Sequence, residues 1–268
     1  MTSLTNQKRS LHLDTERKHH AKILLYNIPK IKVTNSIDII KIIPCSREYI
    51  LRNSSMDPTA IIVGHSFVKR YEKWIGSRSH EAPLSPRDVC NRVSDLLFLG
   101  QSGLQSHELH NGDFLFHASR HDIVIVDCGS NDLANNKTIN EVANNILLFA
   151  RRCIQNGAKI VFVASILPRK RRINTDPDDF ANIAEEYNRH MKSLCVKEEQ
   201  ISFHRMTGFS RSVDGKQQPI HHWSEDGIHP SVKRYEQCKK SGMEKYHQAI
   251  KTAVHRAAQR YRHVMIKI

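Results

Sequence analysis

The chain has 268 residues, of which 39% are hydrophobic, and this is enough apolar material for one large α/β domain. Its formal net charge of +14 indicates a basic surface, although the basic residues are spread along the chain rather than gathered in one block. No apolar run is long enough for a membrane span, and the six cysteines are too widely spaced to indicate a zinc site.

Residues 1–57 differ in character from the rest of the chain. They begin polar and basic, and β-branched residues then alternate in part with lysines, which favours either an edge strand or a weakly structured tail. The N-terminus lacks the apolar stretch of a secretory signal, so we expect an intracellular, cytoplasmic protein. We therefore predict an N-terminal extension over residues 1–57 and a folded domain over residues 58–268.

Apolar runs alternate with amphipathic stretches after this extension. Strands are predicted at residues 59–64, 93–100, 122–129, 158–168 and 200–204, although the second run could equally end a helix that begins near Pro86. Helices are predicted at residues 138–155, 178–196 and 231 to about 262, the last with a break at Gly242. This alternation predicts a three-layer α/β/α sandwich with a mainly parallel central sheet. Because ligands of such sheets bind beyond the carboxyl ends of the strands, chemistry is expected directly after the apolar runs.

The first candidate functional residue is Ser66, which follows the strand predicted at residues 59–64. Gly64 lets the backbone turn sharply, so that Ser66 begins the next helix. A hydroxyl at this position lies where the helix N–H groups and dipole favour developing negative charge. The same pattern is also typical of an ordinary helix cap.

Two neutral hydrogen-bond donors follow later strands. Gly103 lies in the loop "LGQSGLQ", where a residue without Cβ lets its N–H approach a ligand closely. Asn131 lies in "DCGSND", directly after the most strand-like run, and its amide suits an oxyanion. Taken alone, the first segment is also typical of a turn and the second of an Asx turn that caps a helix.

An acid and a base lie close together in the segment "WSEDGIHPS". Asp226 and His229 are three residues apart, which lets the carboxylate hold one ring nitrogen while the other faces outward as a general base. We expect Pro230 and Ser231 to convert this loop into the last helix.

Taken together and in this order, the four segments resemble those of the SGNH hydrolases, also called GDSL-type esterases and lipases. "GSND" and "DGIHPS" match two blocks of that family, whereas "GQSGLQ" matches a third loosely, and the likeness covers about residues 59–255. The resemblance implies a flavodoxin-like SGNH fold, a Ser66–His229–Asp226 triad, and an oxyanion hole formed by Ser66, Gly103 and Asn131. It also implies a small-molecule, carbohydrate or lipid ester as substrate, with no cofactor and no metal.

The chain departs from the family at one position. Where the family reads Gly-Asp-Ser, this sequence reads Gly64-His65-Ser66. The family's Asp helps to fix the nucleophile loop, and His65 either hydrogen-bonds in its place or points to solvent. The Gly-His-Ser form of this segment is also similar to that of divergent domains encoded in animal genomes, some of which lie beside mobile-element reading frames.

Two functions follow from these observations. The filled site positions favour a serine esterase. His65, the charge of +14 and the lack of a visible export signal keep open a catalytically weak or inactive binding module that associates with nucleic acid. The basic segment 169–172 follows a strand, so it either borders the cleft and attracts an anionic ester or nucleic acid, or it is a solvated loop.

Overall fold

The computed structural model describes residues 57–77, 89–169, 177–213, 216–219, 222–236 and 238–267. The predicted N-terminal extension, apart from residue 57, and the basic residues 170–172 lie outside these ranges. In chain order the helices and strands are β1 (Thr59–Gly64), α1 (Ser66–Ser77), β2 (Asp95–Gly100), α2 (Gly112–Ala118), β3 (Ile123–Asp127), α3 (Ser130–Ala134), α4 (Ile139–Gln155), β4 (Ile160–Ala164), α5 (Pro177–Cys195), β5 (Ile201–His204), β6 (Ser210–Val213), β7 (Lys216–Pro219) and α6 (Gly242–Lys267).

Five parallel strands form the central sheet in the order β2-β1-β3-β4-β5. Gly64 at the end of β1 pairs with Gly100 of β2 and with Asp127 of β3. The carboxyl ends of these three strands are therefore level, and the loops that follow them begin at the same edge of the sheet. Two further strands in the described residues, β6 and β7, form a separate antiparallel pair.

The sheet has an apolar core on each face because successive strand residues point to opposite sides. On β1, Ala60 and Ile62 belong to one core with residues of α1 and α6, whereas Ile61 and Val63 belong to the other with residues of α4 and α5. Both faces of the strand are buried, which explains why its sequence is a continuous apolar run rather than an alternating one. The predicted three-layer α/β/α sandwich is confirmed.

The last helix begins later than predicted. It starts at Gly242 rather than at Ser231, and Gly242 is its first residue rather than a break within it. A capping box sets this start, because Ser241 Oγ accepts from Glu244 N at 3.2 Å and Glu244 Oε2 accepts from Ser241 N at 2.7 Å. The expectation that Pro230 and Ser231 open the helix was therefore wrong. Among the described helices, none has the length and apolar character that crossing a membrane requires.

Candidate active site

Ser66 is the first residue of α1 and follows β1 after a single intervening residue. Gly64 is required here by close packing rather than by the sharp turn predicted from the sequence. A Cβ at Gly64 would lie 2.2 Å from the backbone oxygen of Asp127 on β3. His65 N also donates to this oxygen, at 3.2 Å. The backbone is therefore in close contact with β3 where β1 ends, and Ser66 lies at the level where both strands end.

A continuous chain of hydrogen bonds joins the candidate nucleophile, base and acid. His229 Nε2 lies 2.8 Å from Ser66 Oγ, and His229 Nδ1 lies 2.7 Å from Asp226 Oδ2. The other carboxylate oxygen, Asp226 Oδ1, accepts from Ser224 Oγ at 2.6 Å and from the backbone N–H groups of Ile228 and His229 at 2.8 and 2.9 Å. Ser66, His229 and Asp226 are thus connected by consecutive hydrogen bonds, although Ser66 is far from the other two in sequence.

The ionisation of this pair follows from its surroundings. Burial raises the pKa of Asp226, but the hydrogen bonds from Ser224 and from the His229 and Ile228 N–H groups outweigh burial and hold it well below its ordinary value. The pKa of His229 is lowered, first by burial and then by the charge of Arg70, although Asp226 opposes this shift. The carboxyl is therefore ionised and the imidazole is neutral at neutral pH, which is the state a general base requires.

The loop that carries the acid and base is closed on itself. Its two ends form an isolated antiparallel bridge between Trp223 and Pro230, and Ser224 N donates to His229 O at 2.7 Å. Met243 N in the first turn of α6 donates to Ser231 O at 2.9 Å, which ties the loop to the last helix. The position of the imidazole therefore depends on backbone contacts and not only on Asp226.

The two predicted oxyanion donors lie in the same cavity as Ser66. This cavity has a volume of about 380 Å³, and its wall includes Ser66, Gly103, Asn131 and His229. Gly103 has φ of 79°, a left-handed conformation that favours glycine. Asn131 Nδ2 donates to Leu104 O at 2.9 Å, which leaves the second amide hydrogen for another acceptor.

Asp132 fixes the loop after β2 to α3. Its carboxylate accepts from Ser106 N at 2.9 Å and from Ser106 Oγ at 2.7 Å, and Asn145 Nδ2 in turn donates to that hydroxyl at 3.1 Å. Asp132 is almost fully buried. The Asp of "GSND" thus connects the segment that carries Asn131 to the segment that carries Gly103, a role that our sequence reasoning did not assign to it.

His65 is buried and does not point to solvent. Its Nε2 lies 3.0 Å from Ser130 Oγ and 3.6 Å from Asp127 Oδ1, and its Nδ1 accepts weakly from Phe67 N at 3.4 Å. Tyr246 of α6 donates to the other oxygen of Asp127. Burial, followed by the charge of Arg169, holds the pKa of His65 well below its ordinary value, so the ring is neutral.

Arg169 contacts the candidate oxyanion-hole residue Asn131 and is only 3% exposed. Its Nη2 donates to Ser130 Oγ at 2.5 Å and to Asn131 Oδ1 at 2.9 Å. Burial lowers its pKa to about 10, which leaves the guanidinium charged at neutral pH. The sequence left open whether Arg169 borders the cleft or lies in a solvated loop. In the structure it lines the cavity of Ser66 and contacts the side chain of Asn131.

No group of three or more His, Cys, Asp or Glu side chains in the described part of the chain has an arrangement that could hold a metal ion. That the protein needs no metal or cofactor stays a prediction from the resemblance.

A family model described as the GDSL-like lipase/acylhydrolase family matches residues 59–237, which is most of the chain. The chain belongs to the GDSL-like lipase/acylhydrolase family. The resemblance inferred from the four sequence segments is confirmed by this match.

Several solved structures share the fold of this chain at low sequence identity. A GDSL-like lipase from Bacteroides thetaiotaomicron is 18% identical over 78% of this chain and 97% of its own, with a TM-score of 0.54. A putative acylhydrolase from Bacteroides fragilis is 16% identical over 75% and 88%, with a TM-score of 0.52. A carbohydrate esterase family 3 protein from Talaromyces cellulolyticus is 13% identical over 75% and 98%, with a TM-score of 0.51. Comparison with curated proteins gave no significant match.

Proposed function

We propose that this GDSL-like protein is a serine acylhydrolase that cleaves carboxylic esters of small molecules through an acyl-enzyme. The observation that carries the proposal is the hydrogen-bond chain from Ser66 Oγ through His229 to Asp226, with distances of 2.8 and 2.7 Å. The family match supports hydrolase chemistry, and the cavity that Ser66 shares with Gly103 and Asn131 supports an ester carbonyl as the reacting group.

In the acylation step, His229 Nε2 takes the proton of Ser66 Oγ as that oxygen attacks the ester carbonyl carbon. The carbonyl oxygen becomes an oxyanion, and the backbone N–H groups of Ser66 and Gly103 and the amide of Asn131 stabilise it. When the tetrahedral intermediate collapses, the bond to the alcohol breaks and His229 gives its proton to the departing oxygen. Asp226 stays ionised and stabilises the imidazolium.

In the deacylation step, water replaces the alcohol. His229 takes a proton from the water, whose oxygen attacks the acyl carbon, and the same donors stabilise the second oxyanion. Collapse releases the carboxylic acid, and His229 returns the proton to Ser66 Oγ. Transfer of the acyl group to an acceptor other than water would use the same groups and differ only in this step.

The proposal is tested by comparing p-nitrophenyl acetate hydrolysis by the wild-type protein and by Ser66→Ala. We expect the variant to lose about 10³-fold or more in kcat, because the attacking oxygen is absent. Ser193→Ala is a matched control, since this serine is exposed on α5, outside the cavity, and its hydroxyl donates to His190 O. Equal rates for wild-type protein and Ser66→Ala would instead support the alternative of a binding module.

A further inference from the structure

The cavity beside Ser66 is lined by two arginines, Arg70 and Arg169, and no Asp or Glu is among its described lining residues. A cleft whose wall carries charge of one sign concentrates ligands of the opposite sign, more strongly where the surrounding protein has a low dielectric constant. The cavity is therefore suited to a substrate that carries negative charge in addition to its ester group.

Arg70 reaches this cavity from α1. It lies four residues after Ser66, so both side chains project from the same face of the helix. The Arg70 side chain is 49% exposed, which leaves its guanidinium accessible to a ligand in the cavity.

Within the described residues, Arg70 has one ion-pair partner, Asp226, and that contact is long. Arg70 Nη1 lies 3.8 Å from Asp226 Oδ2, beyond hydrogen-bond distance. The same carboxylate already accepts from His229 Nδ1, Ser224 Oγ and two backbone N–H groups. Since Arg70 lies too far from Asp226 for a hydrogen bond, its guanidinium donors are not used by that carboxylate and can bind another anion.

Arg169 supplies a second positive charge to the cavity wall. It is buried, and among the described residues its hydrogen-bond partners are the neutral side chains of Ser130 and Asn131. No carboxylate among the described residues lies within hydrogen-bond distance of this guanidinium, and the charges of Asp127 and Asp226 act on it only from farther away. Arg169 therefore adds to the cavity wall a positive charge that no described carboxylate pairs with directly.

The geometry also indicates which part of the ester carries the negative charge. His229 Nε2 must reach the oxygen of the departing alcohol to protonate it, so the alcohol portion lies on the His229 side of Ser66. Arg70 is on that side, because it lies near Asp226 and its charge lowers the pKa of His229.

We propose that the preferred substrates are carboxylic esters whose alcohol portion bears a carboxylate or a phosphate, which Arg70 binds by charge-assisted hydrogen bonds. This inference rests on the proposed acylhydrolase function and adds a substrate class to it.

The test measures kcat/KM for three acetate esters of substituted phenols. The ring carries a carboxylate in 4-acetoxybenzoate, a phosphate in 4-acetoxyphenyl phosphate, and a neutral ester in methyl 4-acetoxybenzoate. The quantity of interest is the ratio of the anionic to the neutral substrate. A general loss of activity in a variant cancels in this ratio.

We expect Arg70→Gln to lower this ratio about tenfold, since it removes a charge-assisted hydrogen bond at a half-exposed site. Arg70→Lys should keep more of the preference than Arg70→Gln, because it retains the charge. Lys69→Gln is the matched control, because it removes the same charge from an exposed neighbour on α1 that does not line the cavity. Added salt should lower the wild-type ratio more than that of Arg70→Gln, in which only Arg169 still carries a positive charge on the cavity wall.

The carboxylate and phosphate substrates show which anion fits. A larger Arg70-dependent ratio for one of them assigns that group. Equal ratios in wild-type protein and Arg70→Gln for both anions would overturn the inference, even if methyl 4-acetoxybenzoate is hydrolysed well. Failure of the wild-type protein to hydrolyse any of the three esters would instead reject the proposed function and the inference with it.

Discussion

His229 is held between opposing electrostatic effects. Asp226 raises its pKa through a hydrogen bond of 2.7 Å, whereas burial, which is the largest effect, and the charges of Arg70 and Arg169 lower it. The net result is a pKa below the ordinary value of 6.5. The neutral imidazole that the proposed mechanism needs therefore persists into mildly acidic solution.

For a neutral ester we expect kcat/KM to rise with pH and to reach half of its plateau below pH 6.5. In Arg70→Gln this midpoint should move upward, because loss of a nearby positive charge makes protonated His229 less unfavourable. The measurement is the pH–rate profile of both proteins on methyl 4-acetoxybenzoate. A midpoint that does not move would show that Arg70 has no electrostatic effect on the base.

Arg169 gives a second prediction at the scale of single residues. Because its Nη2 holds Asn131 Oδ1 at 2.9 Å, Arg169→Met should misplace the Asn131 amide and lower kcat about tenfold or more, with little change in KM for a neutral ester. Arg205→Met is a suitable control, since Arg205 is exposed and pairs with Glu185. If kcat of Arg169→Met equals that of the wild-type protein while its melting temperature changes, Arg169 has a structural role alone.

At the scale of elements, hydrogen bonds of His65 connect the segment after β1 to the end of β3 and to the start of α3. The family places an Asp before the nucleophile, and this chain has His65 there. Asp127 at the end of β3 supplies a carboxylate 3.6 Å from the His65 ring. Burial raises the pKa of Asp127 to about 6, although Tyr246 and Arg169 oppose the shift, so the carboxylate is mostly ionised at neutral pH. The departure at position 65 is therefore matched by a buried partner on the neighbouring strand.

This arrangement predicts that restoring the family residue alone is harmful. His65→Asp places a second carboxylate beside Asp127 in a buried site, and we expect the free energy of unfolding to fall by about 2 kcal/mol or more at pH 7. In His65→Asp/Asp127→Asn the repulsion is removed, so the double variant should be more stable than the sum of the single changes predicts. Denaturant unfolding of the four proteins measures the coupling, and strictly additive changes would contradict it.

The sequence was sufficient to place the elements that have a clear hydrophobic pattern, whereas one helix boundary was misjudged although its signal is local. The continuous apolar runs of β1 and β3 and the helical spacing of α4 and α5 were sufficient to place those elements. The start of α6 was misjudged because Pro230 and Ser231 looked like a helix entrance, whereas the signal was the capping box of Ser241 and Glu244.

At the scale of the whole molecule, the sequence indicated which loops carry the candidate site residues. It did not indicate the buried contacts between neighbouring strands that support those loops. Motif order was sufficient to name Ser66, Gly103, Asn131 and His229, and the described structure places all four on one cavity. It did not indicate Asp127, whose role depends on strands that are far apart in sequence but adjacent in the sheet. Such pairings are not visible in any local pattern, because they arise only when the sheet is assembled.

The net charge of +14 does not by itself indicate a kind of ligand, whereas the positions of individual arginines in the structure do. Two of the positive charges, Arg70 and Arg169, line the cavity that contains Ser66. A basic composition alone suits a nucleic acid as well as a small anion. The position of these two arginines is what favours an anionic ester at this site.

The central claim is that Ser66 is a nucleophile that His229 activates. Intact-mass analysis after reaction with a fluorophosphonate probe tests it most directly, because the probe forms a covalent bond only with an activated hydroxyl. The account predicts one adduct in the wild-type protein, located on Ser66 by peptide mapping, no adduct in Ser66→Ala, and much slower labelling in His229→Gln. A wild-type protein that stays unlabelled, or an adduct that persists in Ser66→Ala, would contradict it.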